Sequence, residues 1–258
     1  MNVIKVTLPK TLKQIELHTI ADLHIGDKFC NKDKINATFK TIAENENAYC
    51  ILNGDLMNTA TKSSVSDCYA EEYSPMQQIE MCVNFLTPIK DKIIAMNQGN
   101  HEYRTYRTEG IDISKLVAMQ LGIGDRYSPT SSLIFLRFGN NRTKHPDDLA
   151  LYTIFCIHGS GGGRKEGAKA IRLADMACIV DADIYIHSHT HLPMIMKQSY
   201  FRTHLPSSSI SKVDKLFVNT ASALEYGGYG EKYEFKPNST ESPIIYLNGR
   251  KKEMKAKL

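Results

Sequence analysis

Short apolar, β-branched runs recur along the chain: IELHTI (15–20), AYCILN (48–53), KIIAMN (92–97), LIFLRF (133–138), LYTIFCI (151–157), DIYIH (183–187), KLFVNT (215–220) and PIIYLN (243–248). Runs of this length, bounded by polar and turn-forming residues, read as strands. Between the first two, Ile35, Phe39, Ile42 and Ala43 recur at helical spacing. Ser74 and Pro75 supply a cap and a first helical position ahead of Met76, Ile79, Val83 and Leu86. A third helix is predicted from Asp112 to Leu121, closed by Gly122. A fourth runs from about Arg164 to Cys178 with Ala168, Ile171 and Ala174 inward. The first half therefore alternates strand and helix, and the second is richer in strands. The segments 59–74 and 198–215 lack apolar periodicity and are expected as surface loops or hairpins bordering a site.

No internal period and no Pro/Gly/Ser-rich bridge divides the 258 residues, so a single domain over 1–258 is expected, with the basic tail 250–258 frayed. A hydrophobic share of 42% with only 16 Gly and 9 Pro excludes disordered and collagen-like classes. No run approaches the roughly 20 apolar residues that span a bilayer, and the first residues lack a signal-peptide core, so no membrane association and a cytoplasmic location are expected. Cys30, Cys50, Cys68, Cys82, Cys156 and Cys178 are scattered without a C-x-x-C pair, which suits buried free thiols in a reducing compartment. The net charge of +4 permits a polyanionic substrate without requiring one.

The apolar runs end in metal-ligand side chains. Asp22 and His24 follow the first run, Asp55 the second, Asn100 and His101 the third, His158 the fifth, and His187, His189 and His191 close or follow the sixth. Loops beyond the carboxyl ends of strands converge in open α/β sheets, so these side chains are placed to meet. Six of the nine histidines fall in these clusters.

The ordered set D-x-H (22–24), G-D (54–55), G-N-H-E (99–102), H-G (158–159) and H-x-H (189–191) resembles the calcineurin-like metallophosphoesterase superfamily. The resemblance implies an α/β fold, a four-layer α/β/β/α sandwich of two mixed sheets flanked by helices, with strands 133–138, 215–220 and 243–248 in the second sheet. It implies one divalent ion between Asp22, His24, Asp55 and His191, and a second between Asp55, Asn100, His158 and His189, with Asp55 bridging. His101 matches the position beside the leaving group and is the expected catalytic side chain. Donors of nitrogen and oxygen without thiolate suit Mn, Fe, Zn, Co or Ni, with manganese named first.

The implied reaction is hydrolysis of a phosphate ester by metal-activated hydroxide. A phosphodiesterase or nuclease acting on a nucleotide or nucleic acid is favoured, because Arg104, Arg107, Arg164 and Lys165 flank the motifs as candidate phosphate contacts. The alternatives are a phosphomonoesterase on a small metabolite or phosphoprotein, a non-catalytic metal-binding scaffold, and a nucleic-acid binder without hydrolysis; oligomeric state stays open. Asn58 stands where purple acid phosphatases carry a ligand tyrosine and phosphoprotein phosphatases an aspartate, and Ser188 replaces the usual glycine before H-x-H. Glu102 reads as a hydrogen-bonding partner, His187 as a strand residue or a group orienting a ligand, and His18, His145 and His204 as core or surface groups. The glycine-rich stretch 158–170 reads equally as a phosphate-facing loop or as a flexible turn into a helix.

Overall fold

Each apolar run folds as a strand, and the runs at 48–53, 93–97 and 184–187 are buried on almost every position of both faces, which is why polar positions interrupt them so rarely. In the computed structural model, which describes residues 1–62, 64, 67–140 and 149–258, the strands form two six-stranded mixed sheets. The first contains β2 (Gln14–Ile20), β3 (Ala48–Asn53), β4 (Ile93–Asn97) and β5 (Tyr127–Ser128), all parallel. It is extended on the other edge by antiparallel β11 (Ile244–Asn248) and β12 (Met254–Lys257). The second follows the order β1 (Asn2–Thr7), β6 (Ser131–Phe138), β7 (Ala150–Ile157), β8 (Ile184–His187), β10 (Ser209–Asn219), β9 (Met194–His204).

Alternation sorts the layers. Leu17 and Ile51 point into the seam between the sheets, where they meet Tyr152, Ile154, Ile186 and Val218. Their neighbours Ile20, Cys50 and Leu52 face outward, under α1 (Lys32–Glu44) and α2 (Pro75–Leu86), against Ile35, Phe39, Ile42 and Leu86. On the far side Phe155, Tyr185 and Phe217 point outward to Leu173 and Met176 of the segment containing α5 (Glu166–Asp175). The order helix, sheet, sheet, helix is the four-layer sandwich expected. The remaining helices are α3 (Asn100–Glu109), α4 (Ile113–Gln120) and the short α6 (Gly228–Lys232). Among the described residues no helix is long and apolar enough to cross a membrane.

Local chemistry explains the boundaries. Ser74 and Gln77 form a reciprocal capping box with Pro75 at the first position of α2, and the Asp112 side chain caps α4 by accepting from the Lys115 backbone N–H at 2.9 Å. Met76, expected on the inward face of α2, is exposed, and Gln78 and Cys82 are buried instead.

Four further expectations are corrected. Strand 243–248 joins the first sheet as β11, because it pairs antiparallel with β2 rather than with β10, the strand before it in sequence. The tail does not fray: β12 pairs with β11 and buries Met254 while Lys255 and Lys257 face solvent, a charged edge of the kind that discourages further pairing. In α5, Ala168 and Ile171 are exposed (Ile171 by 62%) and Leu173 is buried, so the inward stripe is out of phase with the one expected. The segment offers two alanine-containing stripes, and packing on Phe155 and Tyr185 selects the one holding leucine. Cys178 is exposed and Cys68 half-buried, while Cys30, Cys50, Cys82 and Cys156 are buried and unpaired. Segment 198–215 forms most of a hairpin, β9 with β10; His145 lies outside the described residues.

Candidate metal centre

The sequence brings chemistry to one rim because β2, β3, β4, β7 and β8 all deliver their carboxyl ends there. At these ends the chain turns sharply: Asp22, His24, Asp55, His189 and His191 all have positive φ, between 51° and 66°. Such backbone costs on the order of 1–3 kcal/mol at a non-glycine residue and persists only when its surroundings hold it. Here the loops hold one another. The Asp22 N–H donates to Gly54 O at 3.0 Å, the His24 N–H to Asp55 O at 3.1 Å, and the His189 N–H to Asp22 Oδ2 at 3.1 Å.

Glycine is required where two loops touch. A Cβ on Gly99 would lie 2.1 Å from both the amide nitrogen and Oδ1 of Asp55. That space is taken by the carboxylate of Asp55, whose Oδ1 accepts from the His101 N–H at 2.8 Å. Glu102 fastens the same junction. Its buried carboxylate accepts from the N–H groups of Gly99, Asp55 and Met57 at 3.0, 3.1 and 2.9 Å, as the hydrogen-bonding role read from the sequence requires.

The side chains so placed form overlapping groups whose donor atoms lie within 4.8 Å of one another: Asp22, His24 and His191; Asp55, His158 and His189; and, between them, His24, Asp55 and His101. His191 Nε2 is 3.3 Å from Asp22 Oδ1 and 3.2 Å from His24 Nε2, and His158 Nε2 is 3.1 Å from Asp55 Oδ2. Asn100 joins the second group, its Oδ1 3.0 Å from His158 Nε2 and 2.7 Å from His189 Nδ1. All seven ligand candidates therefore meet, and His101 stands with them, its Nε2 3.7 Å from Asp55 Oδ2.

The outer ring nitrogens fix the tautomers. His158 Nδ1–H donates to Asn53 O at 2.8 Å, His101 Nδ1–H to Asn58 O at 2.9 Å, and His24 Nδ1–H to Asn58 Oδ1 at 3.2 Å. With the outer nitrogen engaged, Nε2 of His24 and His158 is the atom turned inward, the arrangement by which proteins prepare imidazoles as metal ligands, while Nε2 of His101 meets Arg104. Asp22 Oδ1 is buried and has no hydrogen-bond donor. An orphaned carboxylate oxygen beside two imidazole nitrogens fits a divalent cation and fits little else.

Without a cation, the carboxylates and imidazoles balance one another's charge. Burial pushes the Asp55 carboxyl up, but His158 and His101 outweigh it and hold Asp55 well below its ordinary value. Burial lowers His158, and Asp55 and Asp22 overcome this and raise it to about 10. Glu102 is raised to about 7 by burial and by the charge of Asp55. Burial lowers His101, an effect that Asp55 opposes and Arg104 reinforces.

The candidate phosphate contacts separate. Arg104 reaches the centre, its Nη2–H donating to His101 Nε2 at 3.0 Å while Nη1 is buried without a partner. Arg107 is exposed on α3, and Arg164 is exposed with its guanidinium 5.4 Å from the Phe235 ring centre. The glycine-rich loop runs into α5, whose start has no side-chain cap. His187 stays apart from the ligand groups, its Nδ1 2.9 Å from Asn219 Oδ1. His18 is buried and His204 lies exposed on the hairpin, as core and surface readings allow.

Sequence reasoning missed the polar floor beneath the centre. Asn97 Nδ2 donates to Asn53 Oδ1 at 2.8 Å, Asn53 Nδ2 donates to Ser188 Oγ at 2.7 Å, and Ser132 Oγ donates to Asn97 Oδ1 at 2.6 Å. The signal was present: β3, β4 and β10 each end an apolar run on a buried asparagine, Asn53, Asn97 and Asn219.

Residues 17–193 match the family model for calcineurin-like phosphoesterases. No curated protein matches the chain significantly. Among solved structures, vacuolar protein sorting 29 from Cryptosporidium parvum is similar at 12% identity and a TM-score of 0.44, covering 95% of this chain and 96% of its own. The Vps29 double mutant from Entamoeba histolytica gives 12% and 0.46, with 94% and 90% covered. A metallophosphoesterase from Sphaerobacter thermophilus gives 11% and 0.37, with 91% and 84% covered.

Proposed function

The chain belongs to the calcineurin-like phosphoesterase family, and we propose that it is a dinuclear-metal phosphodiesterase acting on a nucleotide or nucleic acid. The observation that carries this reading is the convergence of imidazole nitrogens on Asp55 and on the unpartnered Asp22 Oδ1. Asp22, His24 and His191 would hold one divalent ion and Asn100, His158 and His189 the other, with Asp55 between them. Manganese is the first candidate among Mn, Fe, Zn, Co and Ni. When bound, such a pair makes hydroxide available near neutral pH and neutralises charge on phosphoryl oxygens.

The residues do the rest. Asn53 and Asn58 hold the outer ring nitrogens of His158 and His24 as donors, so that their inner nitrogens are the ones turned to a metal. His101, anchored on Asn58 O and on Asp55 through its backbone N–H, would exchange its Nε2 contact with Arg104 for a proton, and in that form would face the leaving oxygen and stabilise its charge or supply its proton. Arg104 would take a phosphoryl oxygen with the Nη1 that has no partner. Arg107 and Arg164, both exposed, would meet phosphates further out.

The test is hydrolysis of bis-nitrophenyl phosphate by metal-stripped protein after manganese is restored. Turnover is expected to vanish in Asp55→Ala and to fall about 100-fold or more in His101→Ala. Turnover confined to mono-nitrophenyl phosphate would replace this reading with a monoesterase. No turnover on either ester with any of the five metals would replace it with a scaffold.

A further inference from the structure

Helix α3 leaves the metal centre with the sequence Tyr103-Arg104-Thr105-Tyr106-Arg107-Thr108, one triplet written twice. Glu102 is its only buried residue, so the helix lies on the surface, anchored at its first turn by Glu102 and by the His101 N–H on Asp55 Oδ1. At about 100° per residue, Arg104 lies about 60° round the helix from His101, Arg107 about 60° further, then Tyr103 about 40° and Tyr106 about 60° beyond. A continuous arc thus leads from the catalytic histidine over two cations to two aromatic rings. Arg104 already touches His101.

The rings are presented, not packed. Tyr103 and Tyr106 are each 48% exposed, with centroids 5.8 Å apart and planes at 31°. They form one wall of a groove of about 710 Å³ whose other wall is Ile111, Leu116, Met119 and Pro129. Ile111, Leu116 and Met119 are exposed too, which is unusual for so many large apolar side chains gathered at one place. The acid in the groove is already occupied: Asp112 accepts from Gln98 Nε2, the Lys115 N–H and Tyr127 Oη–H at 3.0, 2.9 and 2.7 Å. What remains of the lining is mainly apolar, with Lys115 as its cation, and Arg107 stands exposed beside it on α3.

We infer that this groove is a base-binding platform for single-stranded nucleic acid, in which Tyr103 and Tyr106 stack a base while Arg107 and Arg104 follow the backbone toward the metal centre. The inference rests on the phosphodiesterase reading and names its substrate class. Aromatic faces interleaved with cations are what a flexible polyanion with flat, apolar bases requires, and neither component alone would select it.

The test measures fluorescence anisotropy of a labelled phosphorothioate strand of about ten nucleotides with the manganese-loaded full chain. A strand of the same backbone without bases is the comparison. The intact strand is expected to bind about tenfold or more tightly than the abasic one, and Tyr103→Ala with Tyr106→Ala is expected to erase that difference. Tyr103→Phe with Tyr106→Phe should retain it, since the ring and not the hydroxyl stacks. Equal affinity for both strands, or a base preference that survives the alanine pair, would overturn the inference. So would dimerisation abolished by Tyr106→Ala without base-dependent binding, which would give the groove to a second copy of the chain. Hydrolysis of bis-nitrophenyl phosphate by the same preparation keeps the readings apart: its absence removes the phosphodiesterase, while the affinity difference judges the groove by itself.

Discussion

A single carboxylate, Glu102, shows how much of this site is set by groups that would never touch a substrate. It satisfies three buried N–H donors from two loops, and without it the Gly99 and Asp55 turns lose their common anchor. Each buried donor left unsatisfied costs about 1–3 kcal/mol, so Glu102→Ala is expected to destabilise the fold by at least about 3 kcal/mol in urea unfolding. A loss under about 1 kcal/mol would mean that water replaces the carboxylate there. His18 makes the opposite case, a buried group that resists its charge. Burial, helped by Lys92, lowers its pKa from 6.5 to about 4. The unfolded chain therefore takes up the proton first, so the contribution is flat above pH 6.5 and stability falls as pH drops from there toward 4. Between pH 7 and pH 5 this amounts to about 2 kcal/mol. Urea midpoints of the native chain and of His18→Leu should converge in their pH dependence elsewhere and differ in that window; parallel curves throughout would sink the assignment.

At the scale of elements, what could be read in advance depended on whether burial was periodic. Strand β3 was legible to the residue because AYCILN is buried on both faces, and α2 because Ser74 and Pro75 mark its start. Helix α3 was invisible: with only Glu102 buried it has no apolar stripe, and its N-terminus is set by Gly99 fitting against Asp55. The candidate ligands could be picked out because each stands within four residues of the end of an apolar run, whereas Asn53 and Asn97 at the same strand ends look like ordinary turn residues until the two sheets close over them. Strand β12 was hidden by its lysines. Its turn is secured from outside by Tyr152, whose hydroxyl lies 2.7–3.1 Å from the carbonyl oxygens of Asn248, Lys251 and Glu253 and accepts from the Glu253 N–H at 3.0 Å. Tyr152→Phe is thus expected to cost about 1–2 kcal/mol and to raise amide exchange selectively across 248–257. Uniform exchange changes would show that β12 has no special dependence on this hydroxyl.

Across the whole molecule, the two sheets share one apolar seam, and the metal centre sits where that seam ends in polar groups. Residues from both sheets supply donors: Asp22, His24, Asp55 and Asn100 from the first, His158, His189 and His191 from the second. A cation bound here would therefore tie the sheets together, and in its absence the centre keeps buried carboxylates, one oxygen of them undonated, beside five imidazoles. A ligand that binds only the folded state stabilises it by about 2.7 kcal/mol at a hundred times its dissociation constant. For a chain of this size each kcal/mol moves the midpoint by about 2–4 °C. Manganese is accordingly expected to raise the melting temperature of chelator-treated protein by about 5–10 °C, and Asp55→Ala, which removes the carboxylate between the two ligand groups, to abolish most of that rise. Ser188→Gly offers the matching control, since it loosens the floor through Asn53 without removing a donor and should leave the rise in place. A melting temperature indifferent to all five transition metals would mean that the donors meet for packing alone, and the strained turns at Asp22, His24, Asp55, His189 and His191 would then have no ligand to account for them.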